Sequence, residues 1–273
     1  MGVVTAEQAL ADTRLAFDHV AAGYDQSNEH NPILVAMRSR VRRMLEQSVL
    51  PGARILDLGS GPGTDVVPLA AAGYDVTGID WSPAMVAEAR RRIYEAGMAG
   101  RARVQNLGIH QLPDLAPAIF DAAYSNFGAL NCVVDLPLAA RHVAARIRPR
   151  GVLVASVIGR ACPWEIGLYL ARASLSRATL RFSRHAVAVP LEGRTVWTRY
   201  YSPREFARVF SAAGFTPVHV RTLGCTAPPP YLQAFAERHP RLVASLHGLD
   251  DLIGAWPVVR ALGDHFLIVM RRA

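Results

Sequence analysis

Cysteine is scarce in this chain, and long apolar runs are absent. The three cysteines, Cys132, Cys162 and Cys225, are too few and too scattered for a disulfide framework or a zinc site. No uncharged apolar stretch of about 18 residues predicts a transmembrane helix, and Glu7 and Asp12 stand where a signal peptide would place its apolar core. We therefore expect a cytoplasmic protein without a membrane partner. No spacing of acids and histidines predicts a metal site.

Acidic residues are fewer than basic ones. The chain has 22 acidic and 30 basic residues, which gives a formal net charge of +8. A basic protein can bind nucleic acid, so an RNA-modifying enzyme is one alternative. The arginines, however, are spread along predicted helices, as in 38–43 and 90–92, where they indicate solvated faces. No basic tract interleaved with aromatic residues offers a stacking platform, so nucleic acid is not the expected partner.

One stretch organises the chain: the apolar segment 55–58 runs directly into a turn with glycines at 59, 61 and 63. A short helix follows, and the next apolar segment, 75–79, ends on Asp80. Such a strand–turn–helix–strand unit binds a ligand that carries a nucleoside. Its glycines let the backbone approach the ligand, and the acid accepts hydrogen bonds from ribose hydroxyls.

The glycine spacing disfavours a dinucleotide. The third glycine comes one residue earlier than in the dinucleotide fingerprint, and Pro62 removes a backbone N–H where a pyrophosphate would need a donor. The sequence also lacks a Tyr-x-x-x-Lys pair for hydride transfer. The turn favours a ligand with an amino-acid tail, although an NAD-dependent oxidoreductase stays as an alternative.

Residues 57–61, which read Asp-Leu-Gly-Ser-Gly, together with Asp80 resemble the cofactor motif of class I S-adenosylmethionine-dependent methyltransferases of the small-molecule type. The resemblance implies S-adenosyl-L-methionine as cofactor and methyl transfer to a small-molecule acceptor by in-line displacement, with secondary metabolism as the expected setting. An RNA methyltransferase and a cofactor-binding protein without catalytic activity are further alternatives.

The same resemblance implies the residues that contact the cofactor. They are Tyr24, Asp57, Gly59, Ser60, Gly61, Asp80, Trp81, Met85, Asn106, Leu107, Gly108, Ser125 and Asn126. Tyr24 is the tyrosine of a segment, 17–25, similar to the family's F-D-x-x-A-x-x-Y-D, and it is expected to close the site. Gly108 stands where the family often has an acid that pairs with the adenine amino group. The carbonyl of Asn106, or the backbone at Leu107 and Gly108, would have to serve instead.

Catalytic residues are less clearly marked. A general base is needed only if the acceptor is a hydroxyl, a phenol or an acidic C–H group. The catalytic candidates are Tyr24, His30 and His185, and His110 and Glu165 are further candidate bases. None of the four candidate bases, His30, His110, His185 and Glu165, stands in a motif that assigns it a role.

The order of apolar segments predicts one α/β domain over 1–273, with a seven-stranded, mostly parallel sheet, an antiparallel last strand and helices on both faces. This is the Rossmann-like methyltransferase fold that the resemblance implies. The closing strand, 264–270, is expected at the sheet edge. A helical lid covers 1–32, and the insertions 159–200 and 224–262 leave the carboxyl ends of parallel strands, so both should cap the acceptor pocket. Helices rich in alanine and leucine favour a homodimer.

Overall fold

The computed structural model describes residues 4–24, 28 and 30–273. Within the predicted lid 1–32, residues 1–3, 25–27 and 29 therefore lie outside the described residues. Among them is Asp25, the last residue of the predicted lid motif. In the described part of the chain, no helix has both the length and the apolar character needed to cross a bilayer.

Strands and helices alternate through most of the chain. The strands are β1 (Arg54–Leu58), β2 (Asp75–Asp80), β3 (Ala102–Asn106), β4 (Phe120–Ser125), β5 (Ile147–Ile158), β6 (Val187–Leu191), β7 (Arg194–Thr198), β8 (Phe215–Leu223) and β9 (His265–Arg272). The α-helices are α1 (Ala6–Val20), α2 (Pro32–Ser48), α3 (Val66–Ala71), α4 (Pro83–Glu95), α5 (Leu136–Arg146), α6 (Pro163–Ala171), α7 (Leu175–Ala178), α8 (Pro203–Ala212), α9 (Gln233–Arg238) and α10 (Pro240–Ile253).

Seven strands form one sheet in the order β3-β2-β1-β4-β5-β9-β8. Strands β1 to β5 pair in parallel, and β9 is antiparallel to both of its neighbours. The predicted fold class is confirmed, but the expected edge position of β9 is wrong, since β8 forms that edge. The reason is local: β9 is buried from His265 to Met270, whereas β8 carries Pro217, whose missing N–H suits an edge strand.

Helices cover both faces of the sheet, as predicted. On one face, α2 buries Ile33, Met37, Val41 and Leu45, a spacing of four that places them on a single side of the helix. On the other face, α5 and α8 pack a second cluster. The predicted capping box at the start of α8 is present, because the Ser202 hydroxyl accepts from a backbone N–H and the Glu205 carboxylate reaches back.

The two insertions take different positions. Insertion 159–200 contains α6, α7 and the β6–β7 hairpin, and its Trp197 donates to Asp12 (3.0 Å) and to Thr13 (3.1 Å) of α1. Insertion 224–262 contains α9 and α10 and lies against α2, where Arg40 pairs with Asp251 at 2.6 Å. The hairpin therefore meets the predicted lid, whereas the second insertion meets a helix of the core.

A buried ion cluster ties the first insertion to the sheet. Arg181 donates to the Asp264 carboxylate at 2.7 Å and also pairs with Glu165. Burial alone would raise the pKa of Asp264, but Arg181 and His265 hold it well below its usual range. Its contribution to stability is therefore complete above the pKa of an unfolded aspartate, about 3.9, and falls as the pH drops below that value.

We predict that Asp264→Asn lowers the free energy of unfolding at pH 7 by about 3 kcal/mol, because a buried ion pair loses one partner. The variant should also lose less stability than the wild type between pH 4 and pH 2.5, where the Asp264 contribution falls. Urea unfolding at these pH values measures this. As a control, Glu95→Gln removes one partner of an exposed pair with Arg91 and should leave the unfolding curve nearly unchanged. An acid limb that is equally steep in Asp264→Asn and wild type would contradict the assignment.

Candidate active site

A cavity of about 500 Å³ lies where the carboxyl ends of the five parallel strands converge. Ligands in open α/β sheets bind at this edge. The predicted cofactor residues that line it are Tyr24, Asp57, Gly59, Ser60, Gly61, Asp80, Trp81, Met85, Leu107, Gly108 and Asn126. The two predicted contacts that do not line it are Asn106 and Ser125. The sequence motifs thus meet around one cavity.

The glycine turn is packed too tightly for side chains. Gly59 has a φ of 76°, and a Cβ at this position would lie 2.3 Å from the Cβ of Ala129 in the loop after β4. The N–H groups of Gly59 and Ser60 both donate to the Ile79 carbonyl, at 2.9 and 3.0 Å. The turn after β1 is therefore fixed to the end of β2 and leaves bare backbone facing the cavity.

The Asp80 carboxylate connects the turn to the helix that follows β2. One carboxylate oxygen accepts from the Gly61 N–H at 2.8 Å and the other accepts from the Ser82 N–H at 2.9 Å. Burial raises the pKa of Asp80, and the two N–H donors oppose this effect. Each oxygen keeps a second lone pair, so the carboxylate can still accept hydrogen bonds from ligand hydroxyls in the cavity.

Opposite charges meet beside the turn. Burial, together with the Asp65 and Asp80 carboxylates, raises the pKa of Asp57 well above its usual range, whereas Arg38 opposes the shift. Arg38 donates to Asp65 at 2.5 Å, and its guanidinium lies 4.7 Å from the centre of the Phe127 ring. From the sequence, the arginines of 38–43 are expected on a solvated face. Arg38 departs from that expectation, because it lines the cavity.

The end of β4 supports the cavity wall. The Asn126 amide nitrogen donates to Asp65 at 3.0 Å and to the Tyr124 hydroxyl at 2.9 Å, and its oxygen accepts from the Ser156 hydroxyl at 2.6 Å. Ser125 is fully buried and donates to the Leu58 carbonyl at 3.0 Å. Ser125 therefore joins β4 to β1 rather than facing a ligand, which corrects its expected role.

A second departure concerns the end of β3. Asn106 is exposed, and its amide nitrogen donates to the carbonyls of Asp80 (3.0 Å) and Trp81 (3.1 Å). It fixes the turn after β2 instead of lining the cavity. Gly108 does line the cavity, and the His110 ring packs over it and meets the Trp81 ring edge-on at 4.8 Å.

Most of the candidate bases lie elsewhere. His30 and His185 are exposed, and Glu165 is held by Arg181, so none of the three is among the described residues that line the cavity. Tyr24 and His110 do line it. Sequence reasoning could not separate these candidates because no motif fixes where loop histidines point.

Helix α1 and the β6–β7 hairpin complete the cavity with apolar side chains. Leu10 and Phe17 of α1 face Val189, Leu191 and Val196 of the hairpin across this part of the wall. In the described chain, insertion 224–262 contributes no lining residue. The expectation that both insertions cap the pocket is therefore corrected: the second is turned toward α2.

Asp18 anchors α1 beside the Asp80 turn. Its carboxylate accepts from the Ser82 hydroxyl at 2.6 Å and from the Ala84 N–H at 3.3 Å, at the start of α4. Ser82 also donates its N–H to Asp80. The helix that covers the cavity is thus connected, through one serine, to the carboxylate at the end of β2.

One cluster has the spacing of metal ligands. Cys162, Glu165 and Asp264 place their ligand atoms within 4.8 Å of one another, as the described residues show. The Arg181 guanidinium binds both carboxylates and supplies the positive charge there. The cluster lies outside the cavity wall.

The chain is similar to known methyltransferases in sequence. Residues 28–220 match the model of the methyltransferase domain family. A ubiquinone biosynthesis O-methyltransferase of Methylocella silvestris is 31% identical over 194 residues, which cover 67% of this chain and 70% of that protein. A demethylmenaquinone methyltransferase of Beutenbergia cavernae is 37% identical over 153 residues, 54% of this chain and 58% of that protein. The chain thus spans little more than half of the second relative.

Solved structures share the fold. One is the Burkholderia thailandensis 1,6-didemethyltoxoflavin-N1-methyltransferase with bound 1,6-didemethyltoxoflavin and S-adenosylhomocysteine. It superposes with a TM-score of 0.63 at 18% identity, and the match covers 100% of this chain and 92% of that chain. The CcbJ methyltransferase of Streptomyces caelestis superposes with a TM-score of 0.62 at 17% identity. The match covers 96% of this chain and 99% of that chain. At these identities the likeness concerns the fold.

We predict that Asp80→Ala weakens binding of S-adenosylhomocysteine at least about 100-fold, because two charge-assisted hydrogen bonds to a ribose are lost. Calorimetry measures the affinity, and circular dichroism checks that the fold survives. Asp75→Ala is the matched control, since Asp75 is an exposed acid at the other end of the same strand. Unchanged affinity in Asp80→Ala would remove the ribose assignment.

Asp18→Ala should weaken the same ligand about tenfold, because α1 loses its anchor beside the Asp80 turn. Asp12→Ala removes the bond that the middle of α1 accepts from Trp197, and should change the affinity less than about threefold. Calorimetry measures the affinity of both variants for S-adenosylhomocysteine. Equal losses in the two variants would show that α1 contributes only general stability.

Proposed function

Because the chain belongs to the class I S-adenosylmethionine-dependent methyltransferases, we propose that its cavity holds the methyl donor at the glycine turn and an apolar acceptor beneath α1 and the β6–β7 hairpin. S-adenosylmethionine is the cofactor, and the chain methylates a small-molecule acceptor. The NAD-dependent oxidoreductase alternative is therefore wrong. The observation that carries the proposed arrangement is the Asp80 carboxylate, which is held by Gly61 and Ser82 at the cavity wall.

The residues fit the donor from one end to the other. Asp80 is placed to accept hydrogen bonds from the ribose hydroxyls, and the bare turn at Gly59 leaves room for the chain between ribose and amino acid. Trp81 and Met85 provide apolar surface for the adenine. S-adenosylmethionine supplies a methyl group on a positively charged sulfur.

The amino-acid end of the donor meets complementary charges. We assign its ammonium group to Asp57 and its carboxylate to Arg38, because these two charged groups line the cavity beside the turn. Burial first, and then repulsion from Asp65 and Asp80, raises the pKa of Asp57, and a nearby ammonium group would oppose this shift. Ligand binding should therefore favour the ionised form of Asp57.

The acceptor end is apolar. Leu10, Phe17, Val189 and Leu191 offer little hydrogen bonding, so the acceptor should be largely hydrocarbon with one nucleophilic group. The Methylocella silvestris relative is named as an O-methyltransferase, which supports a hydroxyl as that group. We therefore propose O-methylation of an apolar hydroxylated small molecule, and a role in secondary metabolism is part of this proposal.

Catalysis in this arrangement depends on positioning. In-line displacement requires that the acceptor oxygen and the methyl carbon are held near contact, and such alignment can supply most of the acceleration. Tyr24 follows α1 and lines the cavity, and we propose that it closes the site. Burial raises the pKa of Cys132 to about 12, so this cavity thiol stays protonated and is not a nucleophile.

Two assignments concern the whole protein. A cytoplasmic location is supported by three free cysteines in the described chain. A homodimer is supported by exposed apolar side chains on α6 and α7, including Leu170 and Leu175. Both remain proposals.

The wild-type protein should bind S-adenosylhomocysteine in calorimetry and show no heat with NAD. With methyl-labelled S-adenosylmethionine it should transfer label to members of a panel of alkyl-substituted phenols and catechols. Structured RNA at moderate ionic strength is the control acceptor. The proposal would be contradicted if label appeared on RNA and on none of the phenols. It would also be contradicted if the protein bound NAD and did not bind S-adenosylhomocysteine.

A further inference from the structure

The chain lacks the acid that its family often places after the third strand, and the structure shows what occupies that space. A Cβ on Gly108 would lie 2.4 Å from Cε1 and 2.6 Å from Nδ1 of His110. No side chain at position 108 can therefore coexist with the His110 ring where it lies. The imidazole fills the volume that an acid at position 108 would need.

Most of the polar groups expected from the sequence are bound within the protein or lie outside the cavity wall. The Asn106 amide nitrogen is bound to two backbone carbonyls, and Asn106 is outside the cavity wall. The Leu107 N–H donates to the Asp80 carbonyl at 3.0 Å. Gly108 exchanges hydrogen bonds with Gln111, since its N–H donates to the Gln111 side chain at 3.0 Å and its carbonyl accepts from the Gln111 N–H at 2.8 Å.

His110 itself is suited to hydrogen bonding with a ligand. Its ring lines the cavity and meets Trp81 edge-on. Burial lowers the pKa of His110, Asp114 opposes this and His142 adds to it. Arg14, whose guanidinium lies 5.9 Å from the centre of the Trp81 ring, adds positive charge to the same wall. A neutral imidazole carries one nitrogen with a free lone pair, which can accept a hydrogen bond.

We infer that His110 recognises the adenine of the methyl donor in place of the missing acid. Its unprotonated ring nitrogen accepts a hydrogen bond from the exocyclic amino group of the base. This inference rests on the proposed function, because it requires the adenine to lie between Trp81 and the 107–110 segment. His110 is then a residue that sets cofactor specificity and not the general base.

A consequence is that base selectivity depends on pH. A protonated imidazole has two donors and no acceptor, so it repels the adenine amino group and can donate to a carbonyl oxygen. Selectivity for adenine over hypoxanthine, which carries a carbonyl at the same position, should be greatest when His110 is neutral. It should fall as the pH drops through the pKa of His110.

The test compares S-adenosylhomocysteine with S-inosylhomocysteine by calorimetry at pH 8 and pH 5.5. We expect the wild type to prefer the adenine ligand about tenfold at pH 8, which corresponds to one net hydrogen bond, and to prefer it less at pH 5.5. His110→Ala should lose this preference. His110→Asp keeps an acceptor and should retain the preference at both pH values. His142→Ala is the control at pH 8, because His142 is near His110 without lining the cavity, and at that pH it should show the wild-type preference.

The outcomes separate this inference from the proposed function. If the wild type binds no S-adenosylhomocysteine, the proposed function fails and the inference fails with it. If the wild type binds it and His110→Ala keeps the tenfold preference, only the inference is overturned. Should His110→Ala bind neither ligand, His110→Asp decides, and binding of both ligands by that variant without a preference for S-adenosylhomocysteine overturns the role of His110.

Discussion

The structure depends on one half-buried carboxylate that serves two neighbours. Asp80 accepts from the Gly61 N–H of the glycine turn and from the Ser82 N–H at the start of α4. These bonds hold the ends of β1 and β2 in the relative position that opens the cavity. A carboxylate without such donors would be costly to bury, so the turn and the acid require each other.

The same serine extends this constraint to the covering helix. Ser82 donates its hydroxyl to Asp18 of α1, and α1 in turn accepts hydrogen bonds from Trp197 of the hairpin. One helix thus spans the distance between the wall near Asp80 and the apolar wall of the hairpin. With the donor and acceptor bound as we propose, this arrangement would hold both under one helix, which would exclude water and favour their alignment.

Local sequence predicted the parts of the site that short-range chemistry determines. The glycine turn, the acid at the end of β2 and the serine cap of α4 depend on neighbours in sequence, and they were found as expected. The predicted edge position of β9 is wrong, because strand order depends on pairing between segments that are distant in sequence. Insertion 159–200 was expected at the pocket, but which hairpin residues line the cavity depends on the contacts that the fold makes, as it does for Arg38 and His110. An arginine run or a lone histidine carries no such information.

The central claim is that Asp80 binds the ribose of the methyl donor at the bare glycine turn. The most direct measurement is a crystal structure of the chain with S-adenosylhomocysteine bound. The account predicts both ribose hydroxyls within hydrogen-bond distance of the Asp80 carboxylate, with the amino-acid end beside Asp57 and Arg38. A ligand held elsewhere, or a ribose turned away from Asp80, would contradict it.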